Sequence, residues 1–148
     1  MRQRDFTYFV GDFETTVYDN QEYTEVWASA VVPLYSESVI IHHSILDTFN
    51  YLKALPGNIC IYYHNLKFDG SFWLPFLIEN LGFKQAYLKI KTEQGELIEW
   101  KSEKKMVNKE FKYSISDRGA WYNIIIKVNN KIIEIRDSLK LLTGHNLR

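Results

Sequence analysis

The feature that most constrains this chain is the position of its acidic residues at the ends of apolar, strand-like runs. One run leads into Asp12 and Glu14, and a second run is followed by Asp69. On an extended backbone alternate side chains share a face, so Asp12 and Glu14 point the same way and Phe13 points to the other side. Two carboxylates on one face repel each other unless a cation lies between them. Because Mg²⁺ takes oxygen ligands of this kind, the pattern predicts a divalent-metal site, which Asp69 joins only through the tertiary fold.

The sequence around these acids resembles a known pair of motifs. Residues 9–16 have the sequence Phe-Val-Gly-Asp-Phe-Glu-Thr-Thr, and residues 62–70 have the sequence Tyr-Tyr-His-Asn-Leu-Lys-Phe-Asp-Gly. Together they resemble the first two exonuclease motifs of the protein-primed family B DNA polymerases of phages and linear plasmids. The second motif is the more specific one, because Asp-x-Glu alone occurs often by chance. Residues 136–140, Arg-Asp-Ser-Leu-Lys, resemble a segment that follows the second motif in that family.

The resemblance extends over nearly the whole chain and implies a fold and a reaction. The fold is the ribonuclease H-like exonuclease fold, an α/β fold with a mixed sheet and flanking helices. The reaction is removal of nucleotides from the 3′ end of single-stranded DNA by two metal ions, Mg²⁺ or Mn²⁺. The implied catalytic and metal-binding residues are Asp12, which bridges both ions, Glu14, which ligates the water-bearing ion, and Asp69, which supports the second ion. The implied contacts to single-stranded DNA are Thr15, Tyr62, His64, Asn65, Phe68, Phe72, Ser138 and Leu139.

Structural roles compete with some of these assignments. Taken alone, Asp69 would be better explained as a helix cap, whereas its position inside the full second motif favours the metal-binding role. Phe68 and Phe72 are also candidates for the hydrophobic core, and for Phe72 the two roles are evenly balanced. His64 and Asn65 are polar residues at the tip of the motif, which favours a binding role for them.

The family's third motif, a Tyr and an Asp four residues apart on a later helix, has no counterpart in these 148 residues. We therefore expect a single, C-terminally incomplete domain, residues 1–148, that binds metal weakly and is weak or inactive as a nuclease alone. The alternative is a catalytically dead exonuclease-like phage protein that acts as a binding module or an inhibitor of a host nucleic-acid or defence protein. An uncovered apolar face would predict a protein partner or a homodimer. A second chain that supplies the missing motif would give the same pattern.

Composition narrows the class of protein further. The formal net charge is zero, which argues against broad, charge-driven binding of duplex DNA. The single cysteine, Cys60, lies in an apolar run, which predicts a buried thiol in a reducing compartment. The N-terminus has no apolar signal region, and no run approaches membrane length. We expect a cytoplasmic protein, in the host cytoplasm if a phage encodes it, with no membrane partner.

The hydrophobic periodicity predicts the order of the elements. Three strands, a helix, a strand and a second helix come first, followed after residue 83 by an added β-rich segment. The predicted helices cover residues 44–53, with Ser44 as the cap, and 71–80. The predicted strands cover residues 6–13, 22–34, 39–43, 59–63, 86–91, 97–101, 110–114, 121–128 and 131–137, with a two-residue hairpin turn at Asn129 and Asn130.

Overall fold

The computed structural model describes residues 6–15, 26–34, 38–64, 66–115 and 121–137. The strands in these ranges are β1 Phe6–Thr15, β2 Val26–Pro33, β3 Ile40–His42, β4 Asn58–Tyr63, β5 Lys84–Gln85, β6 Tyr87–Thr92, β7 Gly95–Trp100, β8 Glu110–Ile115, β9 Trp121–Val128 and β10 Lys131–Asp137. The helices are α1 Ile45–Ala54 and α2 Leu66–Pro75, which continues into a π-helical turn at Phe76–Asn80, and a short 3₁₀ turn covers Glu103–Lys105. In the described ranges neither α-helix has the length and hydrophobicity that crossing a bilayer requires.

Eight of the strands form one mixed sheet in the order β3-β2-β1-β4-β10-β9-β8-β5. Strands β1, β2 and β3 form the predicted antiparallel meander. Strand β4 runs parallel to β1 on one side and to β10 on the other. Three adjacent strands at the centre of the sheet therefore end at the same edge, which is where open α/β sheets usually bind ligands.

The two faces of the sheet differ in what covers them. On β1 the side chains of Phe9 and Phe13 are buried, whereas Tyr8, Val10 and Asp12 are exposed. Helices α1 and α2 pack on the side of the sheet that carries Phe9 and Phe13, where they form the main hydrophobic core with β1, β4, β9 and β10. We call this the helix face, and the side that carries Tyr8, Val10 and Asp12 the second face. The mixed α/β class predicted from the sequence is confirmed.

Helix α1 confirms its predicted start. Ser44 is the N-cap, and its Oγ accepts a hydrogen bond from the backbone N–H of Asp47 at 3.1 Å. The other end of the helix is closed by a residue far away in sequence. Lys131 Nζ donates to the carbonyl oxygen of Leu52 at 2.6 Å and to that of Leu55. A cation at this position complements the negative end of the helix dipole.

Helix α2 begins five residues before the predicted position. The periodic pattern was counted from Trp73, but Leu66 is also fully buried and anchors the first turn to the core. Pro75 lacks a backbone N–H, and the turn after it widens to π-helical geometry, with Leu81 N–H bonded to the carbonyl of Phe76 at 3.0 Å. Asp69 therefore lies inside the first turn of the helix, and the helix-cap explanation of Asp69 is wrong.

The predicted β-rich segment after residue 83 is confirmed, although it divides between two sheets. Strands β8, β9 and β10 extend the main sheet, and β6 and β7 form a separate two-stranded sheet. Asn129 and Asn130 have φ values of 50° and 60°, which suit a tight hairpin turn of the predicted kind. Strand β5 was not predicted, because two residues carry no periodicity. The predicted second strand is described only from Val26 onward.

Candidate functional site

The carboxyl edge of the three parallel strands collects acidic residues from three elements. Gly11 of β1 and Asp137 of β10 are both paired with Tyr63, the last residue of β4. Asp12 therefore lies one residue beyond the position opposite Tyr63, and Asp137 lies at that position on the other side of β4. The chain then turns from β4 into α2, whose first turn returns Asp69 to the same edge.

Strand β1 presents its two acids as the alternation predicted. Asp12 and Glu14 are exposed, whereas Phe13 between them is buried on the helix face. The Phe13 ring lies 5.0 Å from the Tyr63 ring and 6.0 Å from the Trp73 ring, measured between centroids. Packing of Phe13 thus holds the end of the strand in place while both carboxylates face outward. The pairing with β2 is irregular between Glu14 and Thr15, and such irregularities often lie beside active sites because they redirect side chains.

Asp69 is the most perturbed of the acids. Its side chain is buried, with 5% of the residue exposed. Burial, followed by the negative charges of Asp12 and Asp137, raises the pKa of Asp69 to about 7. The charges of Asp12 and Asp137 thus act on Asp69, which lies with them at this edge of the sheet.

Asp137 was not among the predicted site residues. It is the last residue of β10 and is 7% exposed. The sequence carried a signal for it, since Asp137 ends an apolar strand just as Asp12 does. Its proximity to Asp69 depends on β10 pairing with β4, which no local pattern indicates.

The donor set at this edge suits a hard cation. The carboxylate oxygens of Asp12, Glu14, Asp69 and Asp137 are of the type that Mg²⁺ and Mn²⁺ bind. Over the described ranges, however, no three His, Cys, Asp or Glu side chains form a ready-made ligand group. Residues that could hold a metal thus lie at one edge of the sheet, but in the described ranges their side chains do not form a complete ligand group.

The predicted DNA-contact residues differ in how exposed they are, and some lie outside the described residues. Thr15 is half-buried, and His64 is exposed just after β4. Tyr62 is buried on the second face, where its ring stacks on that of Tyr8 at 6.3 Å, and burial is the main cause of its raised pKa. Phe72 is half-buried, with its ring at 6.2 Å from Phe13. Asn65, Ser138, Leu139 and the side chain of Phe68 lie outside the part of the chain that the structure describes.

A polar network on the second face approaches the same edge. Arg136 Nε donates to Glu134 at 2.8 Å, and Asn123 Nδ2 donates to the same carboxylate at 3.1 Å. The pKa of Arg136 is raised chiefly by its hydrogen bond to Glu134. Cys60 is 1% exposed, and burial raises the pKa of its thiol to about 11. The predicted buried thiol is confirmed, and at neutral pH it is protonated.

Comparison with known proteins identifies relatives of this chain. No family model matches it. The DNA polymerase of Streptococcus phage Cp-1 is 32% identical over an alignment 154 residues long, which spans 91% of this chain and 21% of the polymerase. Phi29 DNA polymerase bound to primer-template DNA has a TM-score of 0.68 and 25% identity, over 92% of this chain and 21% of the polymerase chain. The structure of the same polymerase complexed with single-stranded DNA has the same four values.

The chain thus spans about a fifth of the length of these relatives. The match in sequence and the match in fold each cover more than nine tenths of this chain. Both point to one group of proteins, and the resemblance predicted from the two motifs is confirmed. In sequence and in fold, the chain is similar to about a fifth of these phage DNA polymerases, which is consistent with the N-terminal domain of a protein-primed polymerase.

Proposed function

We propose that this chain is a metal-dependent 3′→5′ exonuclease domain that acts on the 3′ ends of single-stranded DNA, with only weak activity when it is alone because the third motif has no counterpart in these residues. The observation that carries the proposal is the convergence of acids from three elements on one edge of the sheet. Asp12, Asp69 and Asp137 lie close enough for the first and third to raise the pKa of the second. A buried acid placed among other carboxylates at a strand end is a frequent mark of a functional site.

The fold supports a ribonuclease H-like assignment. An antiparallel meander of β3, β2 and β1 is followed in the sheet by β4 and β10, both parallel to β1, with α1 and α2 on one face. The likeness to Phi29 DNA polymerase at a TM-score of 0.68 supports the same assignment. We infer that the acidic edge occupies the place of the exonuclease site in this fold.

The carboxylates of Asp12, Glu14 and Asp69 would hold two Mg²⁺ or Mn²⁺ ions. When bound, such ions supply an activated water and stabilisation of the leaving oxygen. Asp12 and Glu14 are exposed and offer their oxygens directly to solvent and substrate. Asp69 is buried behind them and would contribute charge from the interior side. Phe13, packed against Tyr63 and Trp73, keeps the strand end in place.

Single-stranded DNA would reach this edge along the residues that the second motif supplies. His64 is exposed just after β4, Phe72 is half-exposed with its ring against that of Phe13, and the Tyr62 ring stacks on that of Tyr8 on the second face. Stacking of bases on aromatic side chains contributes about 1–3 kcal/mol for each base without requiring a particular sequence. The Phi29 structures with single-stranded and primer-template DNA support this substrate class. By resemblance Thr15, Asn65, Phe68, Ser138 and Leu139 belong to the same binding path.

A degradation assay tests the proposal. The protein is incubated with a 5′-labelled single strand and Mg²⁺ or Mn²⁺, beside the double variant Asp12→Ala, Glu14→Ala. We expect a ladder of products shortened from the 3′ end, and a rate at least about 100-fold lower in the variant, because both ions lose ligands. Glu96→Gln, an exposed acid in the β6–β7 hairpin, is the matched control and should leave the rate unchanged. Folded wild-type protein that shortens no strand with either metal would overturn the proposal.

The other expectations from the sequence stay predictions. They are the cytoplasmic location, the protein partner and the homodimer. None of them is needed for the exonuclease proposal.

A further inference from the structure

A row of three aromatic rings connects the β6–β7 hairpin to the large sheet. Tyr87 of β6 and Trp100 of β7 are paired directly opposite each other, and their ring centroids are 6.4 Å apart. The Trp100 ring also contacts the ring of Tyr113 in β8 edge to face, with centroids 5.4 Å apart. Tyr113 in turn packs against the main hydrophobic core. We call Tyr87, Trp100 and Tyr113 the aromatic row, since it runs from the core out onto the hairpin.

The hairpin keeps its aromatic rings on one face. Directly opposed residues of a two-stranded sheet share a face, and side chains alternate between faces along each strand. Tyr87 and Trp100 therefore lie on the same face, where they are 37% and 41% exposed. A cross-strand aromatic pair also stabilises a hairpin, but that role does not require the contact with Tyr113. The other face carries three exposed aliphatic side chains: Leu88, Ile90 and Leu97.

A cation lies beside the aromatic row. Lys89 is two residues from Tyr87 in β6 and therefore shares its face. The residue that faces Lys89 across the hairpin is the apolar Ile98. The next cation on this face, Lys91, is opposite Glu96, but this pair lies near the turn, about 13 Å along the strand from Tyr87, and is outside the row. The charge beside the row is thus positive, which suits a phosphate group.

The inner end of the row lies at the same end of the sheet as the acids. Strands β8 and β10 are both antiparallel to β9, so they run in the same direction. Through Ile124, Tyr113 is level with Ile135, two residues before Asp137. Two strand spacings, about 10 Å, separate β8 from β10. A single strand whose 3′ end lies at the acids therefore reaches the row within a few nucleotides.

We propose that the aromatic row binds single-stranded DNA, with bases stacked on Tyr87 and Trp100 and a backbone phosphate next to Lys89. Exposed aromatic faces beside a cation are the usual means of holding single strands without reading their sequence. The bound nucleotides are those upstream of the 3′ end. The position of the 3′ end rests on the proposed function, whereas binding to the row requires neither metal nor hydrolysis.

Fluorescence anisotropy in EDTA tests the binding. The probe is a labelled oligothymidylate of about 20 nucleotides, longer than the footprint of most single-strand-binding sites. We expect Trp100→Ala to bind about 10- to 100-fold more weakly than wild type, because it loses a stacking platform. Trp100→Phe, which keeps a smaller ring, should be intermediate. Lys89→Gln should reduce the slope of log affinity against log salt by about 0.7, the value for one phosphate contact on a single strand.

Leu97→Ala is the matched control, since it removes an exposed side chain from the other face of the same hairpin. It should bind the probe as wild type does. Equal weakening by Leu97→Ala and Trp100→Ala would show that only the fold of the hairpin matters, and would overturn the proposal. Equal binding by Trp100→Ala and wild type would overturn it as well.

Two further outcomes separate the proposal from its alternatives. A dimer in sedimentation that Trp100→Ala dissociates would mean that a second copy of this chain covers the row, and would overturn the DNA-binding proposal. Wild-type protein that binds the probe through the row in EDTA, but shortens no strand with Mg²⁺ or Mn²⁺, would overturn the exonuclease proposal and support the binding surface.

Discussion

At the residue scale, the site is defined by carboxyl groups that lie close enough for their charges to affect one another. Asp69 is buried next to Asp12 and Asp137, and its pKa is raised to about 7 by burial and then by these two charges. Phe13 and Gly11 have no charge but decide where the charges lie. Phe13 anchors the strand that carries Asp12, and Gly11 leaves room for the ring of Tyr63.

The raised pKa of Asp69 makes stability depend on pH. In the unfolded chain this carboxyl loses its proton near pH 4, whereas the folded protein keeps it until about pH 7. The folded state therefore binds more protons between these values, and the free energy of unfolding falls as the pH rises from about 4 to about 7, by about 3 kcal/mol. Urea unfolding in EDTA at several pH values measures this slope.

Asp69→Asn keeps the shape of the side chain and removes its titration, so the variant should lose most of this slope. Glu96→Gln, an exposed change in the β6–β7 hairpin, should keep it. If Asp69→Asn and wild type had equal slopes, the buried carboxyl would not be the source of the pH dependence.

At the scale of single elements, helix α1 shows which helix ends are encoded locally. Its N-cap, Ser44, lies next to the helix in sequence, and the pattern of residues around it predicted the start. Its C-terminal carbonyls are satisfied by Lys131, which lies 79 residues from Leu52 and 76 residues from Leu55. Lys131 is 8% exposed, and burial lowers its pKa.

We expect Lys131→Met to destabilise the fold. Methionine fills a similar volume but leaves the carbonyls of Leu52 and Leu55 without their donor, at a cost of about 1–3 kcal/mol. Urea unfolding at pH 7 measures the loss. Lys89→Met in the exposed strand β6 is the matched control and should change the free energy of unfolding by less than about 0.5 kcal/mol. An equal effect of the two changes would show that the contact with α1 contributes nothing.

At the scale of the whole molecule, the structure consists of a large sheet with a core and a small hairpin without one. The centre of the large sheet, β4, is buried on both faces from Ile59 to Tyr63. Every residue of β6 and β7 is exposed. A two-stranded sheet with no buried side chains is only marginally stable by itself.

We therefore expect the β6–β7 hairpin to open without global unfolding. In native-state hydrogen exchange, the amides of β6 and β7 should exchange with opening free energies several kcal/mol below those of β4. The measurement uses the whole chain, so β4 serves as the internal reference. Equal protection of hairpin and β4 amides would mean that the hairpin unfolds only together with the large sheet.

The features that the sequence determined by itself are those that depend on near neighbours. The alternation that buries Phe13 and exposes Asp12 and Glu14, the Ser44 cap and the Asn129–Asn130 turn all follow from local geometry and hydrogen bonding. The two acidic motifs were also enough to recognise the resemblance to the phage DNA polymerases. The start of α2 was missed because Leu66 is buried by a core that its local pattern does not show.

Only the tertiary structure decided which distant residues meet. Asp137 lies beside Asp69 because β10 pairs with β4, and Lys131 closes α1 for the same reason. The Tyr63 ring packs against Gly11 because β4 pairs with β1 at that residue. Strand pairing depends on packing of the whole core rather than on local preference. That is why Asp12, Glu14 and Asp69 could each be singled out from the sequence, whereas Asp137 and the way the acids combine could not.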